Sequence, residues 1–82
     1  MTIIECIEKT LEVKGYTDIE SEDDSEYSCQ WTAFNCKKDG IGWGVQLCDL
    51  LHTDLSNPLT FTLMDEDDDE VEVTVDFKQF LG

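Results

Sequence analysis

The segment YSCQWTAFNCKKDGIGWGVQLC, residues 27–48, decides the fold, because side chains of alternating character run on both sides of a central turn. Alternation with a period of two is typical of β-strands, and Lys37–Gly40 supply the turn chemistry. One face of the first strand carries Tyr27, Cys29, Trp31 and Ala33, and one face of the second carries Ile41, Trp43, Val45 and Leu47. The segment therefore predicts an antiparallel hairpin. Gly42 and Gly44 in its second strand favour a bulge or a close backbone approach.

A second hairpin follows toward the C-terminus. Leu59, Phe61 and Leu63 alternate with threonines, and Val71, Val73 and Val75 alternate with polar residues. Six consecutive acids, residues 65–70, lie at the predicted tip. Between the hairpins, residues 49–56 contain leucines whose spacing suits one or two helical turns ending near Pro58. The spacing of Phe77, Phe80 and Leu81 predicts a terminal helical turn.

The N-terminal segment, residues 2–14, has the signals of a helix. Thr2 is placed as N-cap, and Glu5 three residues later completes a capping box. One face carries Ile3, Ile4, Ile7 and Leu11. Lys14 and Gly15 suit the end of the helix. Residues 16–26 are mostly polar and acidic, so we expect a loop there, with at most a short strand near residues 17–19.

These elements predict one α+β domain spanning residues 1–82. The N-terminal helix packs on a four-stranded antiparallel sheet, with a short helix after the second strand. The opposite face of the sheet is expected to be partly wet. Two Trp, four Phe and two Tyr argue for a folded domain rather than an acidic random coil.

Charge is the strongest functional signal. The chain has 20 Asp and Glu, five Lys and no Arg, for a net charge of −15. Such a field repels polyanions, which excludes nucleic acid as a direct ligand, and attracts basic protein surfaces. Much of the charge lies in two runs, which we take as the candidate partner-binding residues: Glu20, Glu22, Asp23, Asp24 and Glu26, then Asp65, Glu66, Asp67, Asp68, Asp69, Glu70 and Glu72.

The acidic runs have a plain alternative interpretation, which is that they keep a small domain in solution. Soluble surfaces normally mix both signs, however, because a single-sign field costs stability through self-repulsion. Alternate carboxylates on a strand stand about 6.6–6.8 Å apart and form a line of negative charge. Each strand of duplex DNA presents a similar line, with a phosphate about every 3.4 Å of axis. The runs therefore favour imitation of a nucleic-acid backbone.

Metal and catalytic sites are not predicted. Asp65, Asp67 and Asp69 have the first spacings of an EF-hand loop, but Glu70 replaces its required glycine and Asp76 its bidentate glutamate. The four cysteines lack zinc-ligand spacing, and the one histidine, His52, pairs only with Cys48 at i, i+4. No nucleophile and base are placed together, and the exposed acids lack the apolar surroundings that raise a carboxyl pKa. We expect a protein that is not an enzyme and binds no cofactor.

The expected compartment is the cytoplasm. The N-terminus has no basic and apolar leader pattern, and no segment is apolar enough to span a membrane. Without an export signal the cysteines are expected to be reduced, most simply as small core hydrophobes. Trp31, Phe34 and Trp43 are either core residues or interface anchors, and the sequence leaves both open.

In size, charge and lack of arginine, the whole chain resembles a class of inhibitors that mimic DNA and are encoded by phages and mobile elements. That class includes anti-CRISPR proteins, anti-restriction proteins and uracil-DNA glycosylase inhibitors. The resemblance implies a non-enzymatic inhibitor that occupies a basic nucleic-acid-binding groove, with a CRISPR effector as the favoured target. The alternative is an acidic interaction module, such as an immunity protein neutralising a toxin or an assembly adaptor. Either acts as a monomer or as a homodimer formed through a sheet edge.

Overall fold

The computed structural model describes residues 2–24, 31–50 and 53–81, which form an α+β domain, as the sequence predicts. The described strands make one antiparallel sheet in sequential order, β1-β2-β3-β4-β5. In chain order the elements are α1 (Ile3–Val13), β1 (Thr17–Asp24), β2 (Trp31–Lys38), β3 (Ile41–Cys48), β4 (Leu59–Met64), β5 (Glu70–Val75) and α2 (Lys78–Leu81). No helix in these described ranges is long and apolar enough to cross a membrane.

Helix α1 begins and ends as its sequence predicts. Glu5 N–H donates to Thr2 Oγ1 at 3.2 Å, and Thr2 N–H donates to Glu5 Oε1 at 3.1 Å, so the capping box is complete. At the other end Gly15 has a φ of 95°, and the N–H of Tyr16 donates to the carbonyl of Leu11. This pattern is a Schellman cap, which turns the chain directly into β1.

Removing the N-cap is expected to cost stability. The variant Thr2→Ala leaves the N–H of Glu5 without its side-chain acceptor, and N-cap losses of this kind cost about 1 kcal/mol. Urea denaturation of the variant and of the control Thr2→Ser should show that cost in the alanine variant alone. Equal stability of Thr2→Ala and the wild type would mean that the capping box contributes nothing.

The loop expected at residues 16–26 is wrong, because residues 17–24 form the edge strand β1. The sheet therefore has five strands rather than the four expected. Strand β1 pairs with β2 from Thr17↔Lys37 to Asp24↔Trp31, with a register shift between Thr17 and Glu20. Asp18 has a φ of 51° at that irregularity, a conformation that Asp tolerates better than most residues. Strand pairing overrides the low β-propensity of the acids, and an edge position leaves their side chains in water.

The hairpin of β2 and β3 confirms the central prediction. Its register is continuous from Trp31↔Cys48 to Lys38↔Ile41, and residues 27–30 of the quoted segment lie outside the described ranges. Asp39 and Gly40 form the turn with φ values of 55° and 77°, as a type I′ turn requires. No bulge occurs in this continuous ladder, so of the two alternatives expected for the glycines of β3, a bulge is not found on the side of β2.

The connection after β3 differs from the predicted short helix. In its described part, the N–H of Thr53 donates to the carbonyl of Leu50, and Asp54 closes a turn. The Asp54 carboxylate accepts from Ser56 N–H, Ser56 Oγ and Asn57 Nδ2, and the first two bonds lower its pKa most. Side-chain bonds to neighbouring groups replace helical bonds here. Leu51 and His52 lie outside the described residues.

The core lies between α1 and one face of the sheet. Its fully or nearly fully buried residues are Cys6, Ile7, Leu11, Tyr16, Phe34, Cys36, Leu50, Phe61, Leu63, Val73, Val75 and Phe77. The helical turn α2 forms as predicted. Cys6 and Cys36 are buried, in agreement with their expected role as small core hydrophobes, whereas Cys48 is exposed at the end of β3, so the expectation is wrong there. Cys29 lies outside the described residues.

Burial raises the pKa of the Cys6 and Cys36 thiols and of the Tyr16 hydroxyl. Each of these three pKa values is higher in the folded than in the unfolded chain. The protonated groups therefore contribute fully to the free energy of unfolding below the ordinary thiol pKa of about 8.5, and this contribution is lost as pH rises. We therefore expect the free energy of unfolding to fall at alkaline pH. Urea titrations should show a shallower fall in Cys36→Ala, and an identical slope in both proteins would contradict this origin.

Candidate interaction surface on the open sheet face

In the described ranges, the face of the sheet opposite α1 carries mostly exposed residues, and we call it the open face. Residues that pair across antiparallel strands point to the same side, so the register identifies its members. One continuous row crosses the whole sheet: Glu20↔Asn35, Asn35↔Gly44, Gly44↔Met64 and Met64↔Glu70. The row begins and ends with a glutamate on an edge strand, and its three central residues are uncharged.

A neighbouring set of positions repeats this arrangement. Glu22 pairs with Ala33, and Ala33 pairs with Gln46. In the hairpin of β4 and β5, Thr62 pairs with Glu72. Glu22, Gln46, Thr62 and Glu72 are exposed. The central strip of β2–β4 between these positions is uncharged, and two glutamates on β1 and two on β5 border it. We call these four residues, Glu20, Glu22, Glu70 and Glu72, the border glutamates. Lys37, which pairs with Gly42, lies on the same face at one end of the strip.

The spacing of the border glutamates follows from sheet geometry. Neighbouring strands lie about 4.7–4.9 Å apart, so four spacings place β1 and β5 about 19 Å from each other. Within each edge strand the two glutamates are about 6.6–6.8 Å apart. The face thus presents two short parallel lines of carboxylate separated by a neutral floor.

The two acidic runs meet around one shallow depression of about 830 Å³ at an end of the open face. Asp18 and Glu20 line it from β1, and Asp65 and Glu66 line it from the loop after β4. Lys37 also lines it. Runs separated by about 40 positions in the sequence are thereby brought to one site, which the sequence alone did not predict.

Small and polar residues form the floor of the open face. A Cβ added at Gly44 would lie 3.1 Å from Asn35 Oδ1, whereas one at Gly42 would meet nothing within 4 Å. The close approach expected at the glycines is therefore found at Gly44. Met64 is 43% exposed beside it and supplies apolar surface. Sequence reasoning missed Asn35, Gly44 and Met64, although they occupy the alternate positions that the core leaves unused.

The second acidic run has an ordered backbone. Asp65 Oδ1 accepts from the N–H groups of Asp67 at 2.9 Å and Asp69 at 2.8 Å, and Asp68 has a φ of 62°. Residues 66–70 are exposed at the predicted tip. The Asp65 carboxylate is thus engaged with the loop backbone. In the part of the chain that the structure describes, no group of three or more acids, cysteines or histidines could hold a metal ion.

The first acidic run is divided between the two sides of β1. The Asp23 side chain points to the opposite face of the sheet from Glu22. Its Oδ1 accepts a hydrogen bond from the hydroxyl of buried Thr32 at 3.1 Å. Asp23 therefore supports the sheet rather than the open face. Asp24 pairs through its backbone with Trp31, and Glu26 lies outside the described residues.

The three aromatic residues have different environments. Phe34 is fully buried, and Trp43 is partly buried against the core. Trp31 is on the open face and is 41% exposed. Phe34 is therefore a core residue, whereas Trp31 is accessible to solvent and Trp43 is partly accessible where it lines the depression.

Within residues 2–24, 31–50 and 53–81, no lysine forms a salt bridge with a border glutamate. The ion pair found there joins Lys9 and Glu12 on α1, with 3.4 Å between Nζ and Oε2. Lys38 Nζ donates to the carbonyl of Lys14 at 3.0 Å and lies 5.0 Å from the ring centre of Tyr16. The open face keeps its negative charge.

Added salt is expected to stabilise the protein. The Debye length falls from about 30 Å at 0.01 M to about 3 Å at 1 M, so salt screens repulsion across the roughly 19 Å between the borders. Calorimetry over this range should show a rising Tm, with a smaller rise in a variant whose border glutamates are glutamine. The variant Glu8→Gln/Glu12→Gln, on α1, should retain more of the effect than Glu20→Gln/Glu22→Gln, which removes the same number of charges. A Tm independent of salt would contradict repulsion.

The sequence matches no protein-family model, no curated protein and no solved structure.

Proposed function

We propose that the protein is a non-enzymatic inhibitor that occupies the positively charged nucleic-acid-binding groove of another protein. The observation that carries this proposal is the cross-sheet row from Glu20 to Glu70, with carboxylates at both borders and a neutral floor between them. The net charge of −15 supports it, because such a field steers association with basic surfaces.

The dimensions of the face define how it engages a groove. At the ideal strand spacing the borders are about 19 Å apart. Each carboxylate line then contacts one wall of a channel whose opposite walls both carry phosphate-binding Lys and Arg.

Each border glutamate can replace a phosphate in the same kind of contact. Arginine holds carboxylate and phosphate alike through two parallel N–H···O bonds. Exposed Met64 and Trp31 add apolar contact that salt does not screen. The ordered acidic loop, residues 65–69, extends the negative surface beyond the sheet and repels nucleic acid from the occupied channel.

Among nucleic-acid-binding proteins, we propose a CRISPR effector as the favoured target, and the cytoplasm as the site of action. This choice follows from the resemblance to small acidic DNA-mimicking inhibitors, whose size and charge the chain shares. A toxin neutralised by an immunity protein, or a structural protein joined by an adaptor, is the competing outcome.

The test is affinity capture from a lysate of cells in which the protein acts, with identification of captured proteins by mass spectrometry. The wild type should enrich a nucleic-acid-binding protein, and excess duplex DNA should release it from the resin. The variant Glu20→Gln/Glu22→Gln/Glu70→Gln/Glu72→Gln, called the four-glutamine variant, should capture far less. Enrichment of a toxin or structural protein that DNA does not release would overturn the proposal.

A further inference from the structure

We propose that the open face receives one amphipathic α-helix of the basic partner, lying along the strands between the border glutamates. This inference rests on the proposed function, because it identifies the element of the basic groove that the face contacts. It goes further in specifying a helix, its orientation and the residues on each of its sides.

In the described residues, a helix packs on only one face of the sheet. Helix α1 covers one side of the sheet and buries Ile7 and Leu11 there, whereas the described residues leave the other side open. Antiparallel sheets commonly leave one face in water, which keeps that face accessible to a partner. A partner helix on the open face would complete a three-layer arrangement of helix, sheet and helix.

The dimensions of the strip match a helix. An α-helix with its side chains is about 10–12 Å across, and the border lines are about 19 Å apart. A helix with its side chains therefore fits between the border lines, with flanking Lys or Arg side chains directed toward the border glutamates. The eight-residue strands β2 and β3 are about 26 Å long, equal to about 17–18 residues of helix.

The chemistry of the strip specifies the contact side of the helix. Ala33 and Gly44 are small and allow a backbone to approach, while Met64 and Trp31 are exposed apolar surfaces. Gln46 offers a polar side chain near the centre. The occupant therefore has a narrow apolar stripe of small and medium side chains, with basic residues on both flanks rather than on one.

The first test uses two synthetic 18-residue peptides of identical composition. In one, Arg flanks an Ala and Leu stripe at helical spacing; in the other, the same residues alternate with a period of two. Calorimetry should show the helical peptide binding at least tenfold tighter, and amide shifts in ¹⁵N-labelled protein should map to β2–β4. Equal affinities, or shifts confined to residues 65–69, would overturn the inference.

The second test separates this inference from the proposed function. Gln46→Lys places a positive charge in the strip while keeping every carboxylate, and Gln79→Lys makes the same change on α2. Both variants should give dispersed amide spectra. Gln46→Lys should weaken peptide binding and DNA displacement at least tenfold, and Gln79→Lys should weaken them less than threefold.

The outcomes distinguish the two proposals. If Gln46→Lys displaces DNA from the captured protein as well as the wild type does, the helix inference is wrong and the inhibitor proposal stands. If the wild type itself fails to displace DNA, the inhibitor proposal is wrong. Helical-peptide selectivity on β2–β4 would still support the docking of a helix in that case.

Discussion

The four-glutamine variant is expected to bind the captured partner about 30- to 1,000-fold more weakly than the wild type. Exposed ion pairs contribute at most about 1 kcal/mol each, so four losses of about 0.5–1 kcal/mol sum to about 2–4 kcal/mol. Each 1.4 kcal/mol corresponds to about tenfold in affinity. Glutamine keeps the size of glutamate, so the change removes charge without removing side-chain volume.

Matched double variants locate the effect. Glu20→Gln/Glu22→Gln and Glu70→Gln/Glu72→Gln each remove two charges from one border and should each cost about 5- to 30-fold. Glu8→Gln/Glu12→Gln removes two charges from α1 and should cost less than about threefold. Surface plasmon resonance at low and high salt can measure all three. Equal losses for the border and helix pairs would mean that net charge, not the open face, determines binding.

Phe34→Ala is expected to remove a large part of the protein's free energy of unfolding. Phe34 is fully buried on the central strand β2, and truncation of a buried Phe costs about 3–5 kcal/mol. A chain of this length has a total stability of only about 4–12 kcal/mol at typical values per residue. Urea denaturation followed by Trp fluorescence should show the loss as a lower midpoint.

Trp31→Ala is the control for Phe34→Ala, since Trp31 lies on the other face of the same strand. It is 41% exposed, so its truncation should cost no more than about 1 kcal/mol while weakening partner binding. The pair of variants thereby separates the core face from the binding face. A larger stability loss at Trp31 than at Phe34 would contradict the assignment of the two faces.

Local sequence signals predicted the elements whose stability comes from their own residues. The capping box of Thr2 and Glu5 defined the start of α1, and Asp39-Gly40 defined a hairpin turn. Alternation identified β3, β4 and β5 because one face of each is apolar. These signals act over a few residues and need no knowledge of the tertiary structure.

The strand β1 could not be predicted in this way. Five of its eight residues are acidic, which lowers β-propensity and obscures the alternation. Its formation depends on backbone pairing with the following strand β2, and the composition of β1 itself does not signal that pairing. The predicted short helix after β3 failed for a similar reason, since the side-chain bonds of Asp54 favour a turn.

The candidate site was predicted in composition but not in arrangement. The acidic runs were identified from their charge, yet the division of Asp23 from Glu22 depends on the strand that was missed. The row joining Glu20 to Glu70 depends on the pairing of Gly44 with Met64, which links the two hairpins. No pattern in either hairpin specifies that register.

The most direct test of the central claim is an anisotropy titration of labelled duplex DNA with the captured partner at increasing concentrations of this protein. We expect the apparent Kd of the partner for DNA to rise linearly with the concentration of this protein and to reach no plateau, because both ligands occupy one groove. A plateau, or a complex that contains partner, DNA and this protein together, would contradict groove occupation.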